Sequence, residues 1–340
     1  MAITIKDIAR EAGVSISTVS KVINGSHTIS QATIDNVRGI MERLEYAPNQ
    51  RAANFARAST KIVAYLIPLQ KGMAYETPHY YEMVSGAQSE LCKNGYSLSL
   101  VDTSHEEKKG DTVKKIIMQK SADGIIIATF YVNRSIADFI VEKKFPHVFI
   151  GKPDYKHSLS WIDIDNVISG EIAARHLIEC GYLRVAFIGG NEESFISSYR
   201  VKGVKSTLEQ HGLALIDDYL CYINQDVNES YDAMVSLLHK NPRPDAVVCD
   251  NSLVAVGVSN ALKDNNIKVP NDMGLIMIDD NPYSKVISPM PTVVNIDVYD
   301  FGAQIAKSVL RKIKNPDLQV QTYSTLPELI TRGTTQRKGG

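Results

Sequence analysis

The sequence predicts an all-α helix-turn-helix head followed by an α/β body of two doubly wound parallel-sheet subdomains. Three observations carry this expectation. Near the N-terminus, two apolar-faced helical segments are broken by a single glycine, Gly13. Downstream, eight short apolar runs alternate with amphipathic segments, the pattern of parallel strands buried on both faces. The downstream part also repeats itself at an offset of 122 residues.

The chain has 340 residues, enough for two to three domains. Hydrophobic residues make up 44% and charged residues 22%, ordinary for a globular protein. No run approaches the roughly 18 apolar residues of a membrane span. The start, MAITIKDIAR, lacks a signal-peptide core. Cys92, Cys180, Cys221 and Cys249 form no Cys-x-x-Cys pair, which argues against a disulfide framework and a zinc site. We therefore expect a cytoplasmic multidomain protein with no metal, no cofactor and no membrane partner. The first 60 residues carry a net charge of +2 and the remainder −3. A mildly basic head permits nucleic-acid binding.

In the head, Thr4 and Asp7 are spaced as a capping box ahead of Ile5, Ile8, Ala9 and Ala12. Gly13 takes the turn. A second helix from Ser17 to Asn24 turns Val19, Val22 and Ile23 inward. It leaves Ile16, Ser17, Thr18, Ser20 and Lys21 exposed. Small hydroxyls and a lysine can bond phosphates and base edges, and Ile16 can touch a thymine methyl. Asn24-Gly25 closes that helix. Ser30 caps a third, with Ile34, Val37, Met41 and Leu44 on one face. Asn49 can cap a further short helix that ends near Arg57. At about nine residues it is below the length stable alone in water, so it needs a support such as DNA and a symmetry mate. Phe55 is its one large apolar residue, suited to wedging into a minor groove. The expected domains are 1–47, a linker 48–60, and a body 61–340.

In the body, Val63-Ala64-Tyr65-Leu66 matches Val185-Ala186-Phe187-Ile188, and Asp123-Gly124-Ile125-Ile126 matches Asp245-Ala246-Val247-Val248. Val84-Ser85-Gly86 matches Val201-Lys202-Gly203 at an offset of 117. The runs 62–67, 97–101, 124–128, 147–150, 184–189, 219–223, 246–249 and 274–278 are the expected strands. The subdomains are placed at about 61–160 and 165–330, with some exchange at the end. Ligands of such sheets sit beyond the carboxyl ends of the strands, so the cleft between the two halves is the expected site. There the sequence puts Pro78-His79-Tyr80-Tyr81, Phe130-Tyr131, Gly151-Lys152-Pro153, Ser197-Ser198-Tyr199-Arg200, Asp250-Asn251 and Asp279-Asp280. Aromatic rings stack on sugar C–H faces, while Arg, Asn and Asp bind hydroxyl pairs. The cleft thus suits a polyhydroxylated ligand.

The run TIKDIAREAGVSISTVSKVINGSHTISQATIDNVRGIMERLEYAPNQRAANFAR resembles the DNA-binding head of the lactose-repressor/galactose-repressor (LacI/GalR) family. ADGIII, SWIDIDN, ARHLIECGYLRVAFIGG, SSYRVKG, IDDNPYS and LPELITRGTT follow in that family's order. The resemblance implies a homodimeric or tetrameric repressor with a periplasmic-binding-protein-like body. It binds a pseudopalindromic double-stranded DNA operator and answers to a small-molecule effector, generally a sugar. It implies base reading by Ile16 and Ser17 with Lys21 one turn on, and phosphate contacts by Thr18 and Asn24. It also places Ala52 and Phe55 on a hinge helix. With Ser15 and Asn49 at the helix starts, these form the expected DNA-binding set. Arg200 falls on the family's sugar-gripping arginine, and Asn251 and Asp279 on two further effector positions. Tyr80, Phe130 and Lys152 complete the expected effector set. Leucine is the family's usual wedge, where this chain has Phe55. The heptad tail used for tetramers is absent after Thr335. Phe130-Tyr131, Phe149-Ile150-Gly151-Lys152-Pro153 and Trp161-Ile162-Asp163-Ile164-Asp165 are similar to the maltose-repressor branch, which implies an α-glucoside.

Two other readings compete. In one, a phosphorylated protein corepressor on the first subdomain replaces the sugar, as in some family members. In the other, the chain is an enzyme. No Gly-x-Gly-x-x-Gly, His-Glu-x-x-His or Gly-x-Ser-x-Gly motif is present, so no catalytic residue is assigned.

Overall fold

The computed structural model describes residues 3–23, 26, 28–46, 59–69, 71, 78–153, 158–190, 194–224 and 226–337. Asn24, Asn49, Ala52 and Phe55, expected to touch DNA, lie outside the described residues, as does nearly all of the linker. The chain divides into two compact units, Met1–Lys61 with Lys120–Ala122, and Ile62–Gln119 with Asp123–Gly340.

The small unit holds helices α1 (Ile5–Glu11), α2 (Ile16–Ile23) and α3 (Gln31–Arg43). The Thr4 backbone N–H donates to the Asp7 carboxylate at 3.0 Å, which closes the expected capping box. Gly13 takes the turn with φ 66°. α2 begins one residue earlier than expected because Ser15 caps it: its hydroxyl accepts the Thr18 N–H at 3.1 Å. Ile8, Ala9, Val19, Val22, Val37 and Ile40 form the shared core.

The large unit contains two six-stranded sheets. The first has the order β11-β5-β4-β3-β1-β2 and is parallel throughout. Its strands are β1 (Ile62–Ile67), β2 (Ser97–Asp102), β3 (Gly124–Ala128), β4 (His147–Ile150), β5 (Trp161–Ile164) and β11 (Thr322–Thr325). Helices α4 (Pro78–Lys93), α5 (Asp111–Gln119) and α6 (Arg134–Glu142) connect them. The second sheet has the order β12-β10-β9-β8-β6-β7, with only β12 antiparallel. It comprises β6 (Val185–Gly189), β7 (Leu220–Tyr222), β8 (Ala246–Cys249), β9 (Gly274–Ile278), β10 (Thr292–Asn295) and β12 (Glu328–Ile330). Helices α7 (Asn166–Glu179), α8 (Phe195–Gln210), α9 (Val227–Leu238) and α10 (Ser252–Asp264) serve this sheet. The order 2-1-3-4-5 recurs as 7-6-8-9-10, so the sequence repeat is a topological one. All eight expected strands are present.

The exchange at the end is larger than the expected boundary of 165–330 allows, and that boundary is corrected. Helix α11 (Val298–Lys314) and β11 belong to the first sheet, although they follow β10 of the second. Phe301, Ile305, Ala306, Val309 and Leu310 of α11 pack with Val63, Tyr65, Met83 and Leu91. An amphipathic helix announces an apolar face but not which sheet will cover it. The chain therefore crosses between subdomains three times, after β5, after β10 and after β11.

Both subdomains hold helices at backbone contact. A Cβ on Gly86 would lie 1.9 Å from the Tyr299 carbonyl oxygen, and one on Gly302 would lie 2.0 Å from that of Met83. In the second subdomain, Gly170 faces the Arg200 carbonyl and Gly203 that of Val167, each at 2.0 Å. The repeated Gly86 and Gly203 are thus the close-approach points of α4 on α11 and of α8 on α7.

Candidate functional site

In the small unit, α2 turns Val19 and Val22 into the core and leaves Ile16 46% exposed. Ser17 and Lys21 are exposed beside it, while Thr18 is half-buried. The Ser15 hydroxyl lies 2.7 Å from that of Ser17 and 2.9 Å from that of Thr18. Ser15, expected to touch DNA, thus also serves as the cap that presents its two neighbours.

In the large unit the site is built at the carboxyl ends of the strands. Arg200 lies one turn into α8 and is buried. Its Nη1 donates to the Asp250 carboxylate at 2.9 Å and to the Asp250 carbonyl at 2.6 Å. Its Nε donates to Asn166 Oδ1 at 3.0 Å. Asp250, fully buried just past β8, also accepts from the Ser197 hydroxyl at 2.6 Å and the Gly190 N–H at 3.2 Å. A buried arginine needs this degree of pairing to remain charged without large cost.

Asp279 follows β9 with φ 77°, a left-handed conformation uncommon for a residue with a side chain. Its Oδ1 is buried and has no hydrogen-bond partner. Burial raises its pKa to about 6 against the opposing pull of the Arg200 guanidinium. From the first subdomain, His79 at the start of α4 brings Nδ1 to 3.9 Å from Asp279 Oδ2. Enclosure by the walls of the cleft, with Arg200 nearby, lowers the imidazole pKa to about 4, so it is neutral at physiological pH. The carboxyl ends of the two sheets therefore face each other across these side chains.

The remaining expected effector residues follow strands or begin helices in both subdomains. Tyr80 is half-buried, its ring 4.7 Å from that of His79. Phe130 lies in a 3-10 turn after β3, 56% exposed and 4.6 Å from the Tyr131 ring. The Lys152 N–H donates to the Asp163 carboxylate at 2.8 Å. Asn251 is half-buried and spends its oxygen on capping α10, accepting the Val254 N–H at 3.0 Å. Asp280 turns away to Arg332 and Ser284, so it does not pair with Asp279 as a second acid would.

His79 and Asp250 fall in segments the sequence places at the cleft, though not in the expected effector set, and Asn166 falls in neither. Asn166 follows the first crossover, which the sequence places at about 160–165, but its hydrogen-bond partners are set by the fold. Among the described residues no cluster of metal-ligating side chains occurs and no helix is long and apolar enough to cross a membrane.

An arginine, a carboxylate with an unused acceptor and a neutral imidazole are groups that can bond the hydroxyls of a ligand. Residues 4–49 match the model for bacterial regulatory proteins of the lacI family, and residues 174–335 the periplasmic binding protein-like domain. The ribose operon repressor of Escherichia coli (strain K12) is 30% identical over 331 residues, spanning 97% of this chain and 99% of that protein. The HTH-type transcriptional regulator MalR of Streptococcus pneumoniae is 28% identical over 271 residues, 79% of this chain and 82% of that one. A solved structure, the transcriptional regulator CelR–cellobiose complex, is similar with a TM-score of 0.72 at 25% identity. The likeness covers 98% of this chain and 99% of that one.

Proposed function

The chain belongs to the lacI family of DNA-binding transcriptional repressors, and we propose that a small carbohydrate in the inter-subdomain cleft sets its affinity for an operator. The observation that carries this reading is the unsatisfied Asp279 Oδ1 beside the fixed Arg200. A sugar hydroxyl donates to the carboxylate, and ring oxygens or hydroxyls accept from the guanidinium. Phe130 and Tyr80 offer faces for the C–H side of a pyranose. The carbohydrate-bound relative CelR and the ribose operon repressor support a sugar as the class. The resemblance of Phe130-Tyr131 and Gly151-Lys152-Pro153 to the maltose-repressor branch favours an α-glucoside such as maltose. MalR is among the relatives.

On DNA, Ile16, Ser17 and Lys21 read and grip the major groove, Thr18 and Asn24 contact phosphates, and Asn49, Ala52 and Phe55 act around the hinge. Two copies present two heads to a pseudopalindromic site. β2 is an edge strand that exposes Leu100, consistent with a second copy packing there. Sugar binding alters the relative setting of the two subdomains and so the pairing of the hinges. A coupling of about 1–3 kcal/mol changes operator affinity by 5–150-fold. The work is done in the bacterial cytoplasm, where the operator is.

The test is binding of the full chain to the DNA upstream of its own gene at fixed salt. It is titrated with maltose, glucose, sucrose, galactose, ribose and purines. Release by one sugar supports the reading. A complex that forms but responds to none of them, and tightens with a phosphorylated sugar-transport protein, replaces it with the corepressor reading.

A further inference from the structure

Asn166 is the first residue of α7 and stands immediately after the first crossover from sheet to sheet. Its side-chain amide is used at both ends. Oδ1 accepts Arg200 Nε at 3.0 Å, within the second subdomain. Nδ2 donates at 3.1 Å to the carbonyl of Ile164, the last residue of β5 in the first sheet. The bond to Arg200 is buried and the bond to Ile164 is partly buried.

The surroundings make this a stiff link. Gly170, one turn further along α7, lies against the Arg200 carbonyl, and Gly203 of α8 lies against that of Val167. The start of α7 and the Arg200 turn of α8 therefore cannot slide independently. On the other side, the Asp165 N–H donates to the Thr325 carbonyl at 3.0 Å, tying this crossover to the one after β11. Asp163, one residue before Ile164, accepts the Lys152 N–H from the first subdomain's side of the cleft.

We propose that Asn166 is a positioning residue whose two-ended amide ties the effector-gripping Arg200 to the β5 crossover, so that occupancy of the cleft is felt in the first subdomain. This rests on Arg200 being a ligand-gripping residue. Asn166 acts through Arg200.

The first test needs no ligand. Hydrogen exchange is measured on the full chain, free of DNA and sugar, for wild type, Asn166→Ala, Arg200→Ala and the double variant. Loss of a buried bond of this kind should speed exchange of the Ile162 to Asp165 amides roughly tenfold. Both single variants should show it, and the double variant should show no more than either. Arg200→Ala leaving those amides at the wild-type rate, with changes confined to α8 and β8, would overturn the proposal.

The second test uses Asn166→Asp, which keeps the acceptor for Arg200 and loses the donor to Ile164. Maltose affinity by calorimetry should stay within about twofold of wild type, while maltose-driven release of the operator drops about tenfold. Affinity and release falling together would overturn the transmitting role. If wild type binds no maltose, the maltose assignment fails separately, and the exchange experiment still decides the link.

Discussion

His79 and Asp279 lie on different subdomains, yet His79 Nδ1 is 3.9 Å from Asp279 Oδ2. That is too long for a direct hydrogen bond and short enough for one ligand hydroxyl to meet both. One group is a neutral imidazole and the other a carboxylate whose pKa burial has raised to about 6, from an ordinary 3.8.

Effector affinity should fall as pH falls. A hydroxyl donated to Asp279 favours the ionised form, which is depleted below about pH 6. Between pH 7 and pH 5 the loss should be about tenfold. His79 stays neutral over this window, since its pKa is about 4. Folding stability runs the other way. A raised carboxyl pKa contributes stability that is present below 3.8 and lost as pH rises through about 6. Calorimetric titrations with the responding sugar check this, and Asp279→Asn should flatten the profile and weaken binding.

Arg200→Ala should leave operator binding intact and abolish release by sugar. It also strips the buried Asp250 of its cation, which should cost about 3–5 kcal/mol of folding stability. Urea unfolding beside gel-shift titration separates the two effects. Undiminished sugar release by the variant would remove Arg200 from the site.

Gly170→Ala places a methyl group 2.0 Å from the Arg200 carbonyl oxygen. Backbone cannot yield as a side chain can, so the change should destabilise by about 3 kcal/mol or more. Gly39→Ala in α3 meets nothing within 4 Å and should stabilise the small unit by roughly 0.5–1 kcal/mol. Thermal melts of the two variants should move in opposite directions.

Lys21→Ala should weaken operator binding nearly uniformly across sequences. It should lower the slope of log affinity against log salt by about one. Ile16→Ala should instead weaken binding in a sequence-dependent way. Affinity measured at several salt concentrations on operator and scrambled duplexes distinguishes them.

The parts of the fold legible in the sequence were those fixed by local pattern. β1, β3, β6, β8 and β9 are unbroken apolar runs buried almost throughout. β11 is not such a run: Thr322 to Ser324 are exposed, and only pairing with β5 makes the segment a strand. β5 is a mixed run of Trp161, Ile162, Asp163 and Ile164 for the same reason. The amphipathic face of α11 is plain in its sequence, but the identity of the covering sheet depends on a crossover. At the site, Arg200 and Asp279 were legible from type and position after a strand. Asn166 was not, because its importance comes from which two groups the fold places at either end of its amide.

The returning path of α11 and β11 also bears on how the chain is made. The first sheet is begun by residues near the start of the body but lacks an edge strand and a covering helix until Thr325 has been synthesised. The second sheet closes with β12 only a few residues later. On a ribosome, neither subdomain can finish ahead of the other, whereas the small three-helix unit has its whole core by Tyr46. A nascent chain halted before residue 298 would display the bare side of Val63, Tyr65 and Leu91, a surface that chaperones bind.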